Sequence, residues 1–353
     1  MINIIGIGPN RENITLSAFE TLKKADVVVG YKKYIESVED IIEGKEIIKK
    51  GMGDEIARGE FAISKSLEGK NVALISSGDP GVYGMANVMF QLISKYDNVD
   101  VKVFPGVTAL SYSASLLGAP LHDFVAISLS DILTPLEEIE KKIEYAAKAD
   151  FIMAIYNPIS KTRKKPFKRF KKILLDVKGP KTLIGIVNSS QNTSKTKIVT
   201  LGQLNEEDIN MSTTLIVGNS LTYVDNGYLV TPRGYVVKSA IHPLANEFYT
   251  KYLNGETATG SNDHCDYYPC HKDLQCCDFC YCPFYPCGDS STGGKWIKNK
   301  KVWSCEDCLW IHDKDNVKCI KKGLNNILKE TSDLKSNKKE LLKLRRACIL
   351  KKE

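Results

Sequence analysis

All eleven cysteines of this 353-residue chain lie between Cys265 and Cys348, and none precedes them. The cysteine-free part is long enough to bury a core of its own, and the overall composition, 43% hydrophobic and 26% charged, is that of a globular protein. The cysteine-rich part is short and needs ligands or cross-links to hold together. All three tryptophans, Trp296, Trp303 and Trp310, also fall there. Charge is equally uneven. Between Lys321 and Glu353, eleven Lys or Arg against four Asp or Glu account for the whole formal net charge of +7. The rest is balanced, so a nucleic-acid footprint over the whole protein is not supported and a basic tail is. No apolar run approaches the roughly 18 residues of a membrane span. The opening residues show no basic leader or cleavage site, so export is not expected.

Up to about residue 250, strand-length apolar runs alternate with amphipathic segments of helical spacing. Met1–Ile7, Asp26–Gly30, Val72–Ile75, Val101–Phe104, Phe151–Tyr156, Leu183–Val187 and Leu215–Val217 read as strands. Several are apolar on both faces, as parallel strands between helices must be. Thr15–Ala25, Glu55–Leu67, Val107–Leu117 and Thr134–Ala149 read as helices, the last opened by a Thr134-Pro135-Leu136-Glu137 capping box with Pro at the first helical position. The alternation predicts an α/β protein. The Gly118-Ala119-Pro120 break divides it into lobes at 1–118 and 119–253. A polar linker at 254–264, a cysteine module at 265–320 and a basic, helical tail with one apolar stripe at 321–353 complete the chain. No internal repeat stands out.

Glycine turns close several strands. Gly6-Ile7-Gly8 lacks the third glycine of a dinucleotide fingerprint, and no phosphate-cradling G-x-x-x-x-G-K-[ST] occurs. Yet Ser77-Gly78-Asp79-Pro80-Gly81 and Pro105-Gly106-Val107-Thr108-Ala109 follow two other strands. Ligands of open α/β sheets sit at such carboxyl ends, and glycine lets the backbone approach them closely. Asp79, with no lysine beside it, suits a ligand carrying hydroxyls and positive charge. S-adenosylmethionine is such a ligand.

Gly6-Ile7-Gly8-Pro9, Ser76 to Ala86 and Pro105 to Ala109 resemble the tetrapyrrole methylase superfamily. Leu117 to Phe124, Ile127 to Pro135, Tyr156 to Lys161, Val217 to Ser220 and Thr231 to Tyr235 resemble its precorrin-3B or cobalt-factor III C-17 methyltransferases of cobalamin biosynthesis. The resemblance covers about residues 1 to 240. It implies two α/β lobes with S-adenosylmethionine in the cleft, a homodimer, and C-17 methylation of a corrin precursor with ring contraction. It implies donor contacts at Gly8, Pro9, Gly78, Asp79, Val82, Thr108, Ala109, Tyr156, Asn157, Asn188, Thr213 and Thr214. One departure is Asn10, where the family usually has Gly; Asn tolerates left-handed backbone angles, so the turn is expected to survive.

Methyl transfer needs alignment rather than a strong base, whereas ring contraction needs a proton moved at an oxygen. His122 and Asp131, polar residues of the family-specific stretches, are the candidates for that role. Tyr83, Met85, Ser128 and Ser130 are candidate substrate contacts. Lys161 to Lys172 holds eight basic residues in twelve. Such a rim could steer a polycarboxylate, with Lys161 and Arg163 nearest the site. A solvated helix face and nucleic-acid contact are the other readings of this run. For the whole chain, a same-fold methylase acting on diphthine or ribosomal RNA and a zinc-type nucleic-acid binder are the competing functions.

In the module, the C-x-x-C pairs Cys277/Cys280 and Cys305/Cys308 have the logic of a zinc site, two tight turns completing one tetrahedron. Candidate ligands are Cys270, Cys277, Cys280, Cys282, Cys305, Cys308 and His312, with Cys265 and Cys348 peripheral. Phe284-Tyr285-Pro286-Cys287 and the Cys277 to Cys282 core resemble a small cysteine-rich metal-binding domain. The ferredoxin cysteine run is absent, which favours zinc over an iron–sulfur cluster. The cysteine-free body points to a reducing cytoplasm.

Overall fold

The computed structural model describes residues 1–118, 121–160, 162–189, 193–233, 243–270, 276–280, 282–297, 302–330 and 338–350. The chain divides into two compact units, Met1–Asn219 and Ser220–Glu353.

The first unit opens with β1 (Ile2–Gly6), a fully buried strand. α1 (Leu16–Lys23) follows, its start fixed by the Thr15 hydroxyl accepting the Ala18 N–H. Then come β2 (Val27–Tyr31), α2 (Lys32–Glu36), β3 (Glu46–Lys50), α3 (Glu55–Leu67), β4 (Val72–Ser76), α4 (Met85–Ile93) and β5 (Val101–Phe104). These five strands form one parallel sheet in the order β3-β2-β4-β1-β5. Alternate side chains feed two cores. Ile2 and Ile4 pack with Val29, Leu74 and Met89 on one face, and Ile5 with Val28, Ile35 and Ile75 on the other. Burial on both faces is why these strands read as unbroken apolar runs.

α5 (Ala109–Leu117) ends at Gly118, whose left-handed φ of 69° supplies the helix cap. A second sheet follows: β6 (Phe124–Ser128), α6 (Leu136–Lys148), β7 (Ile152–Tyr156), α7 (Lys165–Val177), β8 (Leu183–Ser189), β9 (Ser194–Thr200) and β10 (Thr213–Val217). Its order is β6-β7-β10-β8-β9. β6 and β7 are parallel, whereas β10 runs antiparallel to both neighbours and β9 antiparallel to β8. This sheet is therefore mixed rather than parallel. Periodicity reports burial and not direction, so the reversal could not be read from the strands themselves. α6 and α7 cover one face through Ile139, Ile143, Phe167, Phe170 and Leu174. The Thr134 capping box does not form. Pro135, at φ −55° and ψ 141°, is the cap rather than the first helical residue, and no side chain caps this helix.

The second unit begins with a hairpin, β11 (Tyr223–Asp225) and β12 (Tyr228–Val230), turned by Asn226 and Gly227 at φ 50° and 80°. α8 (Pro243–Leu253) leads into the segment read as a linker. Its Gly260 is pinned there, donating its N–H to Asp278 Oδ2 at 2.8 Å and accepting the Cys277 N–H at 2.7 Å. β13 (Lys295–Ile297) and β14 (Val302–Ser304) pair with Trp296 against Trp303. The tail is two helices rather than one, α9 (Lys314–Glu330) and α10 (Lys338–Leu350). Its apolar stripe docks on the cysteine module, with Leu324 and Leu341 packed among Phe279, Phe284 and Ile311. α9 crosses the boundary drawn at residue 320, so module and tail form one core. Among the described residues no helix is long and apolar enough to cross a membrane.

The turns after β1, β4 and β5 meet backbone to backbone. A Cβ on Gly106 would lie 2.1 Å from the Gly78 carbonyl oxygen, and one on Gly6 would lie 2.6 Å from the Gly106 nitrogen. Neither neighbour is a side chain that can swing away. Gly106→Ala is therefore expected to cost at least about 2 kcal/mol, a fall of several degrees in Tm by calorimetry.

Candidate functional site

Strand direction decides which residues share an edge. The carboxyl ends of β6, β7 and β8 point one way, and β10, running oppositely, brings its amino end beside them. Ser128, Tyr156-Asn157, Asn188 and Thr213-Thr214 therefore gather at one edge of the second sheet. The carboxyl-end turns of the first sheet meet this edge through two tyrosines. Tyr156 Oη lies 2.7 Å from Thr108 Oγ1 and accepts the Leu110 N–H at 2.9 Å. Tyr83 Oη donates to the Ala126 carbonyl at 2.9 Å and accepts the Ser128 N–H at 3.1 Å. The two rings lie 5.2 Å apart. Burial pushes both phenols above their ordinary pKa, most directly opposed at Tyr156 by its hydrogen bond with Thr108. Both stay protonated at neutral pH.

In the first sheet, Gly8 and Gly78 exchange backbone hydrogen bonds of 3.2 and 3.0 Å, and both take left-handed φ values of 67° and 63°. Pro9 follows Gly8, and Val82 closes the next turn by donating to the Asp79 carbonyl at 3.2 Å. Asp79 spends both carboxylate oxygens on backbone, accepting Gly81 N–H at 2.8 Å and Gly106 N–H at 3.0 Å. It shapes the site by tying two turns together. Tyr83 and Asn157 carry positive φ values of 55° and 50°. For a residue as bulky as Tyr83 this conformation is costly, and such strain gathers at functional sites.

Asn10 is extended, at φ −158°, and not left-handed. Gly8 carries the left-handed angle, which is why the turn survives Asn at this position. The Asn10 side chain instead accepts the Asn13 N–H and donates to Tyr112 Oη at 3.3 Å, and Tyr112 Oη lies 3.0 Å from Ser194 Oγ. Sequence reading missed this Asn10–Tyr112–Ser194 chain, because its members lie far apart in the chain and in no common motif.

A second network surrounds Arg163. Its Nη1 donates to Ser130 Oγ at 3.1 Å, its Nη2 to the Asn157 carbonyl at 3.4 Å, and its Nε lies 3.4 Å from Asp131 Oδ1. Ser128 Oγ accepts from Asn157 Nδ2 at 3.1 Å and from Ser130 N–H at 3.2 Å. Next in sequence, Ile132 and Leu133 are exposed apolar side chains, Leu133 at 94%. A cavity of about 620 Å³ opens on the same edge. Asn188, Ser160, Lys164, Lys195, Met211 and Lys33 are among the residues that line it. Its size fits a small-molecule ligand. Thr213 is buried, accepting the Asn210 N–H at 2.8 Å and donating to Asn188 Oδ1; Thr214 is buried beside it.

Three sequence-level candidates fall elsewhere. Met85 is 6% exposed and packs in the core below Arg58, so it does not face a substrate. Its place at the start of α4 turns it inward. His122 precedes the amino end of β6, where Ile152 N–H bonds the Asp123 carbonyl. At about 3.3 Å per residue this is roughly 20 Å from Ser128 at the other end of the strand. Lys161 lies outside the described residues.

Burial pushes the thiols of Cys277, Cys280 and Cys282 up, and neighbouring thiols add to it. Burial, then neighbouring thiols, pushes Cys305 up to about 12. Cys308 is pushed up to about 11, chiefly by burial, with the Thr292 hydroxyl opposing it. His312 Nδ1 is 3.0 Å from the Cys276 carbonyl oxygen, and Cys276 N–H returns a 3.0 Å bond to the His312 carbonyl. Cys348 is buried and joined to Cys319 by a disulfide that links α9 to α10. Among the described residues no group of three or more His, Cys, Asp or Glu already stands at metal-ligand distance.

Residues 1–205 match the family model of tetrapyrrole (corrin/porphyrin) methylases, and residues 256–335 match that of a cysteine-rich small domain. A probable cobalt-factor III C(17)-methyltransferase of Methanothermobacter thermautotrophicus is 53% identical over 351 residues, covering 99% of this chain and all of the relative. One of the same printed name from Salmonella typhimurium is 46% identical over 241 residues, 67% of this chain and all of that protein. The crystal structure of the methyltransferase CobJ superposes with a TM-score of 0.62 at 35% identity, covering 65% of this chain and 99% of that one.

Asp79→Asn would set an amide NH₂ against a backbone N–H. It is expected to lower unfolding free energy by about 1–3 kcal/mol in urea titrations. An unchanged midpoint would remove Asp79 from the framework of the site.

Proposed function

The chain belongs to the tetrapyrrole (corrin/porphyrin) methylase family, and on that premise we propose that it is an S-adenosylmethionine-dependent methyltransferase of cobalamin biosynthesis. Its substrate is a macrocycle of the cobalt-factor III or precorrin-3B type, methylated at C-17 with contraction of the ring. The observation that supports the reading is the meeting of the two sheets at Tyr156, whose hydroxyl bonds Thr108 and the Leu110 N–H, on the edge where Thr213 pairs with Asn188.

The donor supplies a methyl group on a sulfonium; the ring carbon forms its bond to that methyl as the carbon–sulfur bond breaks, leaving the electron pair on sulfur. The chain contributes alignment, which is the large term in such a displacement. Backbone carbonyls and hydroxyls at this edge suit an ammonium and ribose hydroxyls, and no phosphate-binding loop competes. On the substrate side, Tyr83, Ser128, Ser130 and Arg163 line the approach. Arg163 is held by Ser130, Asp131 and Asn157 with its charge toward the edge, suited to a carboxylate arm. Asp131, at this edge, is the better placed of the two candidates for moving a proton during contraction; His122, at the far end of β6, is not.

The module binds metal, zinc above an iron–sulfur cluster, through its cysteines. The protein works as a homodimer in the cytoplasm; the cysteine-free body fits that compartment, and the Cys319–Cys348 disulfide is the feature that runs against it.

Incubation with S-adenosylmethionine and cobalt-factor III should yield a ring-contracted product heavier by one methyl group. Consumption of neither would overturn the reading. Arg163→Met should raise KM for the macrocycle about 10- to 100-fold while leaving donor affinity unchanged, as loss of one charge-assisted contact predicts. Weakened donor binding instead would place Arg163 on the other side of the site.

A further inference from the structure

The turn that leaves β6 departs from ordinary turn chemistry. Between Ser128 and α6 the chain runs Leu129-Ser130-Asp131-Ile132-Leu133-Thr134-Pro135. Turns favour glycine, proline and short polar residues. Here the tip carries two large aliphatic side chains, and both stand in solvent, Ile132 at 75% and Leu133 at 94% exposed. The core under the second sheet takes Leu129 before them and Ile139 after them, and neither Ile132 nor Leu133 belongs to it.

The base of the turn is held on several sides. Leu129 N–H bonds the Tyr156 carbonyl at 2.9 Å, and Ser130 N–H bonds Ser128 Oγ at 3.2 Å. Ser130 Oγ accepts from Arg163 Nη1 at 3.1 Å, and Asp131 Oδ1 lies 3.4 Å from Arg163 Nε. The apolar tip is thus presented from a fixed base, at the strand edge that also carries Tyr156. Tyr83 reaches the same corner from the first sheet. Its hydroxyl accepts the Ser128 N–H, four residues before Ile132, and the residue is 57% exposed. A single exposed leucine is ordinary, whereas several large apolar side chains gathered at one polar-rimmed corner mark a binding surface.

We propose that Ile132 and Leu133 are substrate contacts that cover an apolar face of the macrocycle, while Arg163, at the foot of the same turn, takes a carboxylate arm from its rim. The inference rests on the methyltransferase reading and adds two residues to the substrate side of that site. A corrin precursor joins a broad apolar ring to a periphery of acetate and propionate groups. Aliphatic side chains beside a fixed guanidinium match both parts at once. Charge complementarity with Arg163 favours this polycarboxylate over a second copy of the chain as the occupant of the corner. The methyl donor belongs at the glycine turns and at Asn188 and Thr213, so the contribution of Ile132 and Leu133 falls on the macrocycle alone.

The test uses the intact chain with S-adenosylmethionine and cobalt-factor III. Ile132→Ser combined with Leu133→Ser should raise KM for cobalt-factor III about 10- to 100-fold, the range that loss of apolar contacts in a substrate site produces. Affinity for S-adenosylhomocysteine by calorimetry and the Tm should not change, because both side chains are exposed. Ile132→Val combined with Leu133→Met keeps the apolar surface and should hold KM within about threefold of the wild type. An unchanged KM in the serine variant, beside a wild type that turns over, would overturn the inference and leave the methyltransferase reading standing. Weakened binding of S-adenosylhomocysteine would overturn it by placing the turn on the donor side. A shift to smaller species in sedimentation velocity, with KM unchanged, would overturn it in favour of a contact between copies of the chain. A wild type that consumes neither donor nor macrocycle would bring down the methyltransferase reading and this inference together.

Discussion

Three turns touching through their main chains set the geometry of the first unit. Where β1, β4 and β5 end, Gly6, Gly78 and Gly106 leave no side chain between backbones, and the Gly78 carbonyl sits against the Gly106 amide. Asp79 closes the gap that remains by accepting from both sides of it. A larger residue at any of these points would separate the strand ends, and the edge they form would lose its shape. Glycine here serves close approach, and the left-handed angles at Gly8 and Gly78 come with it.

The second sheet completes the edge by reversing a strand. With β10 antiparallel, Thr213 arrives beside Asn188 and Tyr156 rather than at the opposite end. Tyr83 and Tyr156 then join the sheets, each by hydrogen bonds to the neighbouring lobe's backbone. The arrangement explains how residues far apart in the chain come to meet at one edge. It also explains why His122, close in sequence to Ser128, stands apart from it: the two occupy opposite ends of one strand.

What could be read from the sequence was whatever is local. Buried parallel strands such as Ile2–Gly6 and Val72–Ser76 announce themselves as apolar runs, and the glycine turns mark where they stop. Strands with a solvent face, Glu46–Lys50 and Ser194–Thr200, were missed because lysines and threonines interrupt them. α4 was missed because its apolar residues follow the Gly84 turn without a capping side chain. Met85 stood in a ligand motif yet faces the core, since motif membership does not say which way a helix turns its first residue. The Arg163 network was half legible: the charge was visible, and its partners Ser130, Asp131 and Asn157 were not.

The second unit has its own logic. The Salmonella relative is matched along its whole length by 241 residues of this chain. The cysteine module and its helices form a separate core in which two buried carboxylates, Asp278 and Asp289, are paired with Lys321 and Arg345. Part of the tail's basic charge is thereby directed inward. The account depends most on the pocket at the strand edge, and calorimetric titration of the intact protein with S-adenosylhomocysteine addresses it directly. Saturable binding at one site per chain, lost on Gly106→Ala, is the predicted result; no heat of binding to the folded protein would contradict it.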